Sequence, residues 1–364
     1  MNILFRTDAS IEIGTGHVMR CLTLADALRK KGANIIFVCR NLQGNLAEVI
    51  REKQFDLIML PEPKKNVFIP KATPHSDWLG VPWYADTTET IRAMKDMNKE
   101  ISLLIIDHYA IDINWEMKVK KYVKKMMVID DLADRLHDCD ILLDQNLYHD
   151  YKDRYINLVP QSCKQFLGPE HVLLRDEFYS FHPSHKNCDG SVKKILVFFG
   201  GSDPTNETKK VIKAFQQQLP PQDIELDIVI GNTNTHKKEI ESICKKHTFC
   251  SFHCQVNHIA ELMYNADLAI GAGGTTTWER CYLGLPAIVI TVAENQESIA
   301  QTLDHLGAIK YLGPKESVNE SDIVSAIQEI MNNPLSLQQM SRKARMLLEG
   351  NIDHRQNLLL EILK

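Results

Sequence analysis

The sequence has no apolar run approaching the roughly 20 residues of a membrane span, and its opening, MNILFRTDAS, reads as a strand rather than a signal peptide. It has no excess of basic charge: a formal net charge of −5 gives no electrostatic case for nucleic acid or an anionic membrane as partner. It has no CxxC pair, although nine cysteines are scattered along it. Cys244, Cys250 and Cys254 lie near His247 and His253, which is a zinc-like grouping. They straddle an expected helix–strand junction, however, and several sit in apolar runs, so buried free thiols in a reducing cytoplasm are the expectation and no metal is assigned. A full dinucleotide fingerprint is missing too, because the first glycine turn holds only two glycines. Long repeats and low-complexity tracts are absent. What remains is the composition of a soluble globular protein, 44% hydrophobic and 24% charged, in 364 residues, long enough for two α/β domains. A cytoplasmic monomer without a cofactor is the default expectation.

The most informative stretch is 268–296, LAIGAGGTTTWERCYLGLPAIVITVAENQ. Leu268 to Ile270 has the length of a buried strand. Gly271, Gly273 and Gly274 then lead into the hydroxyl cluster Thr275–Thr277. A short helix follows, closed by Gly284 and by Pro286, which cannot continue it, and Ala287–Ile290 reads as the next strand. Strand, glycine turn, helix, strand is half of a parallel α/β unit. Glycines let a ligand approach the backbone, and the amides that open a helix favour an anion. Glu279, one turn into the helix, is placed to accept bonds from a diol such as a ribose; the plain alternative is a tight turn with a surface glutamate.

From the start, Ile3–Arg6 reads as a strand, Asp8–Gly16 as a loop ending in GTGH, and His17–Lys31 as a helix on the spacing of Val18, Cys21, Leu22, Ala25 and Leu28. His17 falls at the mouth of this βα turn, on the carboxyl side of the strands, where open α/β sheets place ligands. Imidazole suits a general base near neutral pH; a capping or packed histidine is the alternative. Asp8 and Arg20 either orient the ring, meet phosphate or pair with each other. Further strands are expected at 56–60, 103–107, 126–129 and 140–143, with helices at 46–53, 89–99 and 113–124. Pro61–Pro82 has no clear period and reads as a loop or insertion near the site. Asp107 and Asp130–Asp131 end strands, with Asp131 read as a helix cap. The polar stretch from Phe181 to Ser191 is the expected linker. A second α/β pattern follows it: a strand at 194–199, the turn GGSDP at 200–204 with Pro204 opening a helix capped by Ser202 or Asp203, strands at 226–230 and 249–253, and helices from about 321 to 363. The expected organisation is an N-terminal Rossmann-like domain over 1–181, a second over 192–345, and a terminal helix over 346–364 that returns to the first. Two doubly wound domains are expected to face each other across a crevice.

These residues resemble a known family. GGSDP, AGGTTTWE, LGLP and AENQ are similar to the nucleotide-binding half of the GT-B fold, as in MurG-type UDP-N-acetylglucosamine transferases. The string RTDASIEIGTGHVMRCLTLADAL is more particular and resembles the PseG-type hydrolases of pseudaminic acid biosynthesis. Those enzymes release UDP from UDP-2,4-diacetamido-2,4,6-trideoxy-β-L-altropyranose. The resemblance runs through about residue 310. It implies His17 as the catalytic residue acting on the attacking water and Gly16 beside the diphosphate. It implies Gly201, Ser202, Gly273, Gly274 and Thr275 on phosphate oxygens, and Glu279 on the ribose hydroxyls. Val256 falls where related proteins read the uracil through the main chain, and Asn295 and Gln296 face the sugar or diphosphate. The segment 61–82 and the helices after 320 find no counterpart in that pattern.

The chemistry agrees. UDP is a good leaving group, so one base and a set of amides to absorb developing charge suffice, without a metal. Water attack on the face opposite UDP inverts the anomeric carbon. Three other readings stay open: a GT-B glycosyltransferase with a UDP-N-acetylhexosamine donor, a UDP-N-acetylglucosamine 2-epimerase, and a non-catalytic sugar-nucleotide-binding protein. Turnover without an acceptor separates the hydrolase from the transferase.

Overall fold

A computed structural model describes residues 1–64, 68–181, 188–218 and 224–364. The chain forms two compact units, one of residues 1–146, 150–173 and 350–364, the other of 147–149 and 174–349. Of the polar stretch 181–191, residues 182–187 lie outside the described ones.

The first unit contains β1 (Asn2–Thr7), α1 (Gly16–Lys30), β2 (Asn34–Arg40), α2 (Ala47–Glu52), β3 (Asp56–Leu60), α3 (Trp83–Asp96), β4 (Ile101–Asp107), α4 (Ile113–Val119), β5 (Val123–Ile129), β6 (Ile141–Asp144) and β7 (Lys164–Leu167). All sheet pairings are parallel, in the order β3-β2-β1-β4-β5-β6-β7. Strands covered by helices on both faces read as continuous apolar runs, and Ile3–Phe5 and Leu103–Ile106 are buried throughout. The last helix, Asn351–Leu363, packs here: Leu358, Leu359 and Ile362 share a core with Val18, Cys21 and Leu22. Asn351 Nδ2 donates to the carbonyls of Glu170 (3.0 Å) and Val172 (3.1 Å).

The second unit contains α5 (Asp176–Tyr179), β8 (Lys194–Phe198), α6 (Glu207–Gln218), β9 (Glu225–Ile230), α7 (Lys237–Cys244), β10 (Cys250–Cys254), α8 (Ile259–Asn265), β11 (Leu268–Gly271), α9 (Thr276–Leu283), β12 (Ala287–Thr291), α10 (Glu297–His305), β13 (Lys310–Pro314), α11 (Glu320–Met331) and α12 (Pro334–Met346). Its sheet is again parallel, ordered β10-β9-β8-β11-β12-β13. Both sheets therefore reverse direction beside their first strand, between β1 and β4 and between β8 and β11. Ligands of open α/β sheets bind outside the carboxyl ends at this switch point. Among the described residues no helix is long and apolar enough to cross a membrane.

Several boundaries differ from the sequence reading. α3 begins at Trp83 rather than 89, because buried positions on its face are held by Asp86, Thr87 and Thr90, which hide the apolar period. The helix expected over 113–124 ends at Val119, and β5 already starts at Val123, whose outer half is partly exposed and lysine-rich. β7 and β13 were not expected: both are half-covered edge strands without an apolar run. α6 starts at Glu207, so Pro204 does not open it. Asp203 caps it from further back, accepting from the Glu207 amide (2.9 Å) and the Thr208 amide (3.0 Å). Asp131 is not a helix cap; its carboxylate belongs to the site described next.

Candidate functional site

In the first unit the switch point brings the end of β1 beside the end of β4, with Thr7 opposite Asp107 in the register. The loop after β1 is folded on itself: Ser10 Oγ accepts from the amides of Glu12 (3.2 Å) and Ile13 (3.0 Å), and the Gly14 amide returns to the Ser10 carbonyl (2.9 Å). Gly14, at φ +78°, takes the left-handed turn that feeds the chain into α1. Gly16 is the first residue of that helix and exposed. His17 follows on its buried side.

The imidazole Nδ1 of His17 lies 2.6 Å from Asp107 Oδ1. Arg20, one turn later on α1, grips the same carboxylate with Nη2 on Oδ1 (2.8 Å) and Nε on Oδ2 (2.9 Å), and extends Nη1 to Asp131 Oδ2 (3.1 Å). Burial opposes the charge on Asp107, but Arg20 and His17 outweigh it and hold the carboxyl well below its usual range. Asp107 is therefore an ionised acceptor for the Nδ1–H of His17, which leaves Nε2 as the ring nitrogen not engaged by this carboxylate, the orientation a general base requires. Asp131 in turn accepts from the Tyr109 hydroxyl and from Asn146 Nδ2 (3.0 Å). Asp144, at the end of β6, accepts from Arg154 Nη1 (2.7 Å) and Tyr155 (3.2 Å); burial and the neighbouring charge of Asp131 push it up to about 8.

Asp8 and Arg20 do not pair with each other. Asp8 sits with Arg6 (2.8 Å) and His108 (3.3 Å) and accepts from the Arg40 amide (2.6 Å) in a fully buried group below the site. The orienting acid is Asp107 instead. Aromatic rings stand around His17: Tyr109 edge-on at 4.5 Å and Trp78 at 6.3 Å, with Trp78 stacked on Tyr109 (5.6 Å) and His75 against Trp78 (4.6 Å). His75 and Trp78 come from the stretch 61–82, in which the sequence shows no period; residues 65–67 of it lie outside the described ones. Burial lowers the pKa of His75.

In the second unit β8 and β11 are adjacent, with Phe198 paired to Gly271, so the turns that follow them are neighbours. A Cβ on Gly271 would lie 2.2 Å from the Phe198 carbonyl oxygen, which is why only glycine fits there. The turn after β8 passes through Gly200 at φ +94° to Gly201, whose carbonyl receives the Gly231 amide (3.1 Å); Ser202 is half-buried beside it. Gly273 and Gly274 lead to Thr275, which caps α9 without a side-chain bond. Gln296 is brought to this turn: its Oε1 accepts from the amides of Gly273 (3.2 Å) and Val292 (3.1 Å). Gln296 therefore already occupies the Gly273 amide, and the amides beyond it open the helix. Beneath the turn, buried Arg280 donates from Nη2 to the Ala272 carbonyl (2.8 Å) and Thr277 Oγ1 (3.0 Å). Burial brings Arg280 down to about 10, and no carboxylate pairs with it among the described residues, so its charge adds to the pull of the helix terminus on an anion.

Glu279 is buried on α9 and bound in a fork by Arg175, Nε to Oε1 at 2.8 Å and Nη2 to Oε2 at 2.9 Å. Arg175 precedes α5 and no sequence signal marked it. Val256 is half-buried, just after Gln255, which takes φ +52° beyond β10. Asn295 is exposed one residue before Gln296. His253 bonds Asp227 (2.9 Å), and all nine cysteines are free thiols. Among the described residues no group of three or more His, Cys, Asp or Glu could hold a metal ion.

The model of the glycosyltransferase family 28 C-terminal domain matches residues 195–357. Over 302 residues the chain is 26% identical to an uncharacterized protein of Methanocaldococcus jannaschii, a match covering 81% of this chain and 57% of that protein. This chain thus spans little more than half of that relative's length. It is 29% identical over 313 residues to the UDP-2,4-diacetamido-2,4,6-trideoxy-β-L-altropyranose hydrolase of Campylobacter jejuni, covering 84% of this chain and 97% of that enzyme. The crystal structure of MurG from Acinetobacter baumannii aligns with a TM-score of 0.61 at 14% identity, over 98% of this chain and 99% of that one. The fold is GT-B-like, built of two doubly wound Rossmann-like domains.

Proposed function

We propose that this chain is an enzyme acting on UDP-sugars, and specifically a hydrolase that releases UDP from UDP-2,4-diacetamido-2,4,6-trideoxy-β-L-altropyranose with inversion at the anomeric carbon. The observation that carries the reading is the His17–Asp107 contact of 2.6 Å at the β1/β4 switch point. Asp107 holds the Nδ1 proton, and Nε2 takes the proton of an attacking water. The departing diphosphate draws on Gly201, Ser202, Gly274 and Thr275, with Gln296 held beside them by the Gly273 amide. Glu279 accepts the ribose hydroxyls, Val256 meets the base through its main chain, and Gly16 and Asn295 border the diphosphate and sugar. His75, Trp78 and Tyr109 offer flat apolar walls to the sugar ring near His17. Support for water as the acceptor comes from the likeness to the Campylobacter hydrolase along nearly all of that enzyme.

A second reading, a glycosyltransferase in which His17 deprotonates a sugar hydroxyl, is favoured by the family 28 match over the C-terminal half. One experiment separates them. UDP release is measured from the diacetamido altrose nucleotide and from UDP-N-acetylglucosamine, without acceptor and with EDTA. The hydrolase releases UDP from the first substrate alone, and His17→Phe lowers the rate by roughly 10²–10⁴-fold. UDP binding without release from either substrate would turn the assignment to the transferase.

A further inference from the structure

Arg175 makes contacts that the catalytic reading leaves unused. It stands one residue ahead of α5, a short helix fixed from two sides: Glu177 accepts from the Ala260 amide at the start of α8 (3.1 Å), and Tyr179 meets the ring of Tyr282 on α9 edge-on at 5.5 Å. The guanidinium lies 5.3 Å from the centroid of the Phe178 ring and 3.2 Å from Glu177 through Nη1. Its Nε and Nη2 donate to Glu279, one to each carboxylate oxygen. Burial works against the charge on Arg175, but Glu279 outweighs it and raises the pKa.

Two consequences follow from this fork. Burying a carboxylate such as that of Glu279 without a counter-charge is costly, and Arg175 supplies the counter-charge. The planar fork also sets the plane of the carboxylate and uses one lone pair on each oxygen, leaving the other pair on each oxygen to accept. Two parallel acceptors held in one plane match two adjacent hydroxyl donors. Lysine offers charge but no such plane.

We infer that Arg175 is the positioning residue of the nucleotide site, holding Glu279 as a paired acceptor for the two ribose hydroxyls and so setting the preference for ribonucleotides. The inference rests on the UDP-site reading above, and it concerns selectivity rather than turnover. Calorimetric binding of UDP and of 2′,3′-dideoxy-UDP to the full chain tests it. Hydrogen bonds to a charged acceptor make the wild type prefer UDP by at least about tenfold. In Arg175→Met the preference collapses to within about twofold, and in Arg175→Lys it falls likewise, because the fork is lost while the charge remains. In a Glu279→Gln background, Arg175→Met brings no further change in the ratio.

A merely structural role would weaken both nucleotides equally. An unchanged ratio in folded Arg175→Met and Arg175→Lys therefore overturns the inference while leaving the UDP site intact. If the wild type fails to bind UDP at all, the functional reading falls, and this inference falls with it. Circular dichroism of each variant establishes that the comparison is made on folded protein.

Discussion

Replacing Asp107 by asparagine is the most discriminating perturbation of the site in the first unit, because it keeps size and removes one charge. In the native arrangement Oδ1 serves both His17 Nδ1 (2.6 Å) and Arg20 Nη2 (2.8 Å), and Oδ2 serves Arg20 Nε (2.9 Å). An asparagine has one oxygen for these three donors. If the oxygen faces His17, the amide nitrogen opposes the Arg20 Nε–H, donor against donor. If it faces Arg20 Nε, the amide donates to Nδ1 and moves the imidazole proton to Nε2, where the base must be free. The second outcome disables the base, and the first removes the negative charge that stabilises the imidazolium and sets two donors against each other, so a loss in kcat of about 10³-fold is expected, within the range of general base catalysis. Arg20 keeps Asp131 at 3.1 Å, so the stability loss is smaller than for a stranded buried cation, about 2 kcal/mol. The assay is steady-state UDP release well below the melting transition, with the folded fraction followed by circular dichroism. UDP affinity stays within about twofold, since Glu279, Gln296 and the glycine turns after β8 and β11 lie in the other unit. A folded Asp107→Asn protein with kcat within threefold of the wild type would refute the role given to this dyad.

Gly271→Ala places a Cβ against the Phe198 carbonyl at 2.2 Å, a backbone contact that cannot yield; it should prevent native assembly of β8 and β11, seen as a loss of soluble, cooperatively melting protein. Gln296→Ala strands the amides of Gly273 and Val292 and should cost about 1–2 kcal/mol in a thermal or urea melt, together with weaker UDP binding by calorimetry. Asp144 gives a pH signature. Its folded pKa, about 8, lies above the unfolded value near 3.8, so its contribution is fully present below the unfolded value and is lost as pH rises towards 8. Across that window the folded chain holds a proton that the unfolded chain has released, and stability falls by up to about 1.4 kcal/mol per pH unit. Asp144→Asn should flatten the urea-denaturation slope between pH 5 and 8; an unchanged slope would remove Asp144 as its source.

The sequence by itself determined the secondary plan of both sheets' inner strands. β1, β4, β8 and β11 are buried on both faces, and burial on both faces writes an unbroken apolar run. It also marked the two glycine turns, because a Cβ at Gly271 has no room, and it placed His17 at a strand-to-helix mouth. The edge strands β7 and β13 carried no such run, and α3 hid its period under buried Asp86 and Thr90. Only the tertiary structure decided what each site residue is bonded to. Asp107 is 90 residues from His17, Glu279 is 104 from Arg175, and Trp78 comes from a stretch without periodicity. Local periodicity reports which face of an element meets the core. The partner of a buried charge is fixed instead by strand order, which sets β4 beside β1, and by which helix then lies over them. That information resides in no window of the sequence shorter than the fold.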